Sequence, residues 1–189
     1  CVGWVSNNSN TRAIAFGTGQ ITLTGNNTTV LNLSNSTGFS YTGTPLFVSN
    51  YSGSTGTRNF KVTSGYTDSN VVSVAITAGS DTVNMFNGFK NVDYTGFTGT
   101  LANGATMVVY GDLKFSSGMT ISGANAIWFY ATSGTQKITA NGQTFDFPIS
   151  INAVGATVQP QDTFVMGATR NLTLANGTFD LNGKSVTLG

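Results

Sequence analysis

Hydrophobic and polar residues alternate in short runs along the whole chain. QITLT at 20–24, TTVLNLS at 28–34, PLFVS at 45–49, NFKVT at 59–63, VVSVAIT at 71–77 and TVNMF at 82–86 occupy the first half. ATMVVYG at 105–111, AIWFYA at 126–131, QKITA at 136–140, QTFDFPISI at 143–151 and DTFVM at 162–166 continue the pattern. A period of two sends successive side chains to opposite faces of a strand, so each run predicts a strand with one buried face. The breakers TGNN, STG, SGSTG, TSG and NG sit between the runs. No stretch carries a convincing helical pattern, and the chain reads as all-β.

The last stretch, LTLANGTFDLNGKSVTLG, decides how such strands are arranged. Leu172, Leu174, Phe179, Leu181, Val186 and Leu188 alternate with Thr173, Thr178, Asp180, Ser185 and Thr187. Asn-Gly pairs separate the runs and supply residues that tolerate positive φ. One such pair usually closes a hairpin, whereas two in close succession give a meander or a coil turning corners. Echoes favour the coil: NGQTFDF at 141–147 returns as NGTFDL at 176–181, and LANGAT at 101–106 as LANGT at 174–178. Imperfect internal repeats of this kind are the signature of stacked rungs. The predicted fold is a parallel β-solenoid, or β-helix; a β-sandwich is the alternative. Parallel coil stacking is expected to dominate 92–189, while 1–91 is a β-rich region that forms either a separate part or the first coils of the same solenoid. About eight or nine coils of some 20 residues would rise roughly 40 Å. Phe145, Phe147, Ile149, Ile151, Leu172, Leu174, Phe179 and Leu181 are the expected core.

Composition narrows the function. Only 8% of the 189 residues are charged, Glu and His are absent, and the net charge is +1. Hydroxyls and amides, rather than charge, therefore solubilise the surface. Nothing points to nucleic acid or an anionic membrane surface, and no apolar run approaches the ~20 residues of a membrane span. The single cysteine, Cys1, excludes an internal disulfide. A first residue that is Cys rather than Met implies a fragment boundary or a processed terminus, such as that of a lipoprotein.

The phrases TSGTQKIT (132–139), NGQTFDFPI (141–149), AVGATVQPQD (153–162) and LTLANGTFDLNGKSVTL (172–188) occur in that order. In them, the segment 92–189 resembles a repetitive β-rich module of tail-fibre-like and other structural proteins of marine tailed phages, including cyanophages. It departs from that group at Ala153, Ala156 and Val158-Gln159-Pro160, where Gly and an aromatic are common in the group. The resemblance implies a virion appendage or adhesive fibre in an extracellular setting, and carries no catalytic residues with it. Its implied partners are further copies of the chain, most simply as a homotrimer, other virion or surface proteins, and a host-surface glycan. A bacterial surface adhesin or filament subunit is the second reading. A polysaccharide-degrading tailspike is the third.

Candidate chemistry is sparse. Acid–base work would fall to Asp68, Asp81, Asp93, Asp112, Asp146, Asp162 and Asp180. Asp162 and Asp180 lie one rung apart and are the pair to examine for glycoside hydrolysis; the simpler expectation is turn-forming and surface roles. No zinc-type or EF-hand spacing occurs, and no cofactor is expected. Aromatic residues are the better binding candidates. In IWFYA, alternation places Trp128 and Tyr130 on one face, and Ile127 and Phe129 on the other. The outward phase makes Trp128 and Tyr130 a binding surface for a sugar ring or another chain; the opposite phase buries Trp128. Tyr41, Tyr51, Tyr66, Tyr94 and Tyr110 are candidates to extend that surface.

Overall fold

The computed structural model describes residues 1–63, 68 and 71–189, and Tyr66 lies outside them. It is a stack of short strands wound into a β-solenoid of about eight turns, with up to three strand positions per coil. The first side is formed by β1 (Trp4–Val5), β4 (Thr29–Asn32), β7 (Thr57–Lys61), β9 (Thr82–Phe89), β11 (Thr100–Leu101) and β14 (Thr120–Ile121). In later coils its place in chain order is taken by β17 (Thr144–Phe145), β19 (Phe164–Met166) and β21 (Val186–Thr187). The second side comprises β2 (Arg12–Gly17), β5 (Phe39–Gly43), the end of β9, β12 (Met107–Val109), β15 (Ile127–Phe129), and the starts of β18 (Ile149–Pro160) and β20 (Leu172–Phe179). The third comprises β3 (Ile21–Leu23), β6 (Leu46–Ser49), β8 (Ser73–Ile76), β10 (Val92–Asp93), β13 (Leu113–Lys114), β16 (Thr135–Thr139), and the ends of β18 and β20.

Every ladder among the described residues is parallel. That rules out the antiparallel sandwich. Coil length is less uniform than the repeats imply. Trp4 pairs with Leu31 and Leu31 with Phe60, whereas Thr82 pairs with Thr100 and Thr100 with Thr120. The extra residues of the early coils lie in the connections and in the longer strands β2 and β5.

Asn-Gly works here as a corner and not as a hairpin. Asn141 and Gly142 have φ of 49° and 80°, and Asn182 and Gly183 of 53° and 65°. The Gln143 amide donates to the Ala140 carbonyl at 3.1 Å, and the Lys184 amide to that of Leu181 at 2.8 Å. Each is a tight turn from the third side to the first. A further pair, Asn176-Gly177, bends β20 where its register with β18 shifts.

Inward side chains form one core along the stack. Aromatic rings run through it in a column. Tyr94 stacks on Phe115 at 5.7 Å, Phe115 meets Phe145 edge-on at 5.4 Å, Phe145 stacks on Phe164 at 4.4 Å, and Phe164 meets Phe179 at 5.9 Å. Such pairs contribute about 0.5–1.5 kcal/mol each beyond area burial. Phe145, Phe147, Ile149 and Ile151 are buried as expected. Leu172 and Phe179 are only half-buried, and Leu174 and Leu181 are 55% and 45% exposed, contrary to expectation. The reason is position in the stack. Leu174 is in register with buried Ile151, but among the described residues β20 pairs with β18 alone and no further coil stacks on its other edge. Leu181 lies in the corner turn beyond it.

Candidate functional site

β15 resolves the phase of IWFYA. Ile127 and Phe129 are fully buried in the main core, and Trp128 and Tyr130 point outward, half-buried. Their rings are offset-stacked with centroids 5.8 Å apart and planes 17° apart. The pair rests on a small outer cluster of Val71, Val108 and Tyr110, with Tyr110 edge-on to Tyr130 at 6.3 Å and 68°. Parallel register sets this shelf: Val108 lies below Trp128 and Ser150 above it. The short polar side chains of Ser150 and its neighbour Asn152 leave the upper rim of the shelf low. Because the rings face one another, they present outer faces and edges, not a single flat platform. A shelf of this kind accepts a sugar ring or an apolar protein surface.

The other tyrosines divide. Tyr94 and Tyr110 are buried, so neither extends an exposed surface, while Tyr41 and Tyr51 remain half-exposed. Burial raises the Tyr94 phenol far above its ordinary range. The Tyr41 phenol is also raised, first by burial and then by the charge of Asp68.

Each of the seven carboxylates is engaged within the chain. Asp81 forms a bidentate pair with Arg58, both contacts at 2.8 Å and both side chains fully buried. Asp68 pairs with Lys90 at 2.7 Å and Asp146 with Arg170 at 2.9 Å. Asp93 accepts the Thr95 amide at 2.7 Å, and Asp112 accepts that of Lys137 at 2.8 Å. The two oxygens of Asp162 accept the Ala140 and Asn141 amides at 2.8 and 2.6 Å. Asp162 therefore clamps the Asn141-Gly142 corner of the coil below. Asp180 accepts from the Asn182 amide and from Gln159 Nε2, both at 2.9 Å, and these bonds hold its carboxyl below the usual range. A general acid requires the opposite shift. Among the described residues no three metal-ligating side chains cluster, and no helix is long and apolar enough to cross a membrane.

Three clefts lie on the third side and its corners, with volumes of about 510, 290 and 380 Å³. Sequence reasoning does not find them, because their walls come from residues one coil apart in the fold and about twenty apart in the chain. Compared with protein-family models, curated proteins and solved structures, the chain matches none.

Proposed function

We propose that this chain is a non-enzymatic structural and adhesive module of a virion appendage, of the tail-fibre type, and that it works outside the cell. The observation that carries the non-enzymatic reading is the engagement of all seven carboxylates in ion pairs, turns and corner clamps. Asp93 and Asp112 do line one cleft, but each carboxylate already accepts a backbone amide, from Thr95 and Lys137, whereas glycoside hydrolysis demands a carboxyl pair free to act on the bond and on water. The continuous aromatic core supports the structural role, since a stack held by inter-coil packing behaves as a stiff rod. The Trp128–Tyr130 shelf supplies the adhesive contact, to host-surface glycan or to a neighbouring appendage protein. The resemblance of 92–189 to phage appendage modules supplies the setting.

Labelling intact particles with antibody raised against the chain tests the setting: decoration of an appendage is expected, and decoration of bacterial surfaces alone would favour an adhesin. Incubation with capsular or cell-wall glycans tests the chemistry. No new reducing ends are expected. Release of reducing ends that stops in an Asp162→Asn or Asp180→Asn variant would establish a tailspike hydrolase instead. The chain is further proposed to assemble as a homotrimer, because little charge keeps copies apart and an open strand edge recruits another chain. Light scattering at micromolar concentration should give the mass of three chains; a stable monomer contradicts it.

A further inference from the structure

The three clefts of the third side adjoin one another. The first, lined by Tyr41 and Pro45, shares Asn91 with the second, and the second shares Lys114 with the third, which ends at Asn141. Parallel register builds the middle cleft. Val92, Leu113 and Ile138 stack in register and point inward as its floor. The residues just before them, Asn91, Asp112 and Lys137, form one wall; those just after, Asp93, Lys114 and Thr139, form the other. The Asp112 and Asp93 carboxylates are each fixed by one backbone amide, from Lys137 and Thr95 respectively. Lys114 reaches Asp93 only at 4.0 Å, with both side chains close to half exposed, a contact worth little. Lys137 is exposed and makes no ion pair among the described residues. Two ammonium groups therefore stand on opposite walls of one trough, one coil apart, about 4.8 Å along the stack.

We propose that this trough binds a carboxylated oligosaccharide lying along the stack axis. The walls offer carboxylate, amide and hydroxyl groups that match sugar hydroxyls, and Lys114 and Lys137 match a sugar carboxylate. At the first cleft the half-exposed Tyr41 ring, anchored by its hydroxyl donating to the Val71 carbonyl at 2.8 Å, offers a face for a sugar ring. An extended peptide is a poorer occupant, because the backbone groups of these strands are already used in the coil ladders. The middle of the trough lies on the third side and the aromatic shelf on the second, although the first cleft adjoins the shelf through the Tyr41–Val71 hydrogen bond; the proposal does not depend on the appendage reading.

Isothermal titration of the full chain with oligogalacturonate, oligomannuronate and a neutral cello-oligosaccharide tests it. Both acidic chains should bind at least about tenfold more tightly than the neutral one, more weakly as salt is added. Lys114→Gln with Lys137→Gln should lose roughly tenfold toward the acidic chains and keep the parent melting temperature. Trp128→Ser with Tyr130→Ser should leave trough binding unaltered. Amide shift mapping on the unsubstituted chain gives a readout free of any variant: Asp112, Lys114 and Lys137 should move. Equal binding of acidic and neutral chains, undiminished binding by the lysine double variant, or shifts confined to other sides would each overturn the proposal.

Discussion

Arg58 and Asp81 meet in the interior, where an isolated charge is costly, and the site is built to satisfy both. Arg58 also donates to Ser49 Oγ at 2.6 Å and to the Ala78 carbonyl at 3.1 Å, and its guanidinium lies over the Tyr51 and Phe97 rings at 5.3 and 5.7 Å. Removing one partner leaves the other buried and uncompensated. Asp81→Ala should therefore cost about 3–5 kcal/mol in equilibrium urea unfolding. Replacing both, Arg58→Met with Asp81→Leu, should recover most of that loss, and an equally unstable double variant would count against charge burial as the cause. Asp180 illustrates the exposed case. Its folded pKa lies below the ordinary value of 3.8, so its small stabilising contribution is present above that value and disappears as pH falls through the folded pKa. A carboxyl titration by NMR should place the Asp180 midpoint below 3.8, and Gln159→Ala should move it upward. Neither arrangement is legible in the sequence. Arg58 and Asp81 look like ordinary surface residues until parallel register sets Arg58 beside Val83 on the next coil.

At the scale of the element, alternation identified most of the strands and set Trp128 and Tyr130 on one face of β15, but it left open whether that face points outward. It did not reveal the two-residue strands β10, β11, β13 and β14, which are too short to show a period and exist because the neighbouring coils hold them. It also passed over β2 and β5, whose RAIAFG and FSYTG carry little contrast between faces. Side-chain ladders were hidden for a related reason. Thr57, Thr82, Thr100 and Thr120 lie in register on four successive coils, yet their unequal spacing in the chain masks the repeat. The same irregularity conceals the Asp–Lys trough. In the aromatic column Phe145 stacks on Phe164 with ring centroids 4.4 Å apart. Phe145→Ala should cost about 3–5 kcal/mol by thermal or urea unfolding, as for other buried aromatics reduced to Ala. Trp128→Ser with Tyr130→Ser removes rings from the outer cluster and leaves the main core intact, so the variant should fold while adhesion or assembly weakens. Loss of parallel-β circular dichroism in that variant would show that the shelf is structural, not adhesive.

On the scale of the whole molecule, each coil is stabilised chiefly by the coils above and below it. Stability is then close to a sum of neighbour terms, and the coils at either extremity have one neighbour instead of two. The exposure pattern follows this logic. Phe89, Phe97, Leu113 and Phe129 in the middle coils are fully buried, whereas Val2 and Val5 at one extremity and Leu174, Leu181 and Leu188 at the other are exposed. Amide exchange in the 189-residue chain should accordingly be graded. β12, β13 and β15 should exchange only through global unfolding, and β1, β20 and β21 through local fraying at much lower free energy. Uniform protection from the first coil to the last would show that the stack unfolds as a single unit. The same measurement addresses the proposed assembly from another direction. If copies or appendage partners dock on the edge of β20, amides of β20 that face that edge should slow on assembly, while those of β12 and β15, already paired on both sides, should not change. Slowing confined to the Trp128–Tyr130 side would instead place the contact on the shelf and leave the strand edge free, which would remove the edge as the cause of oligomerisation.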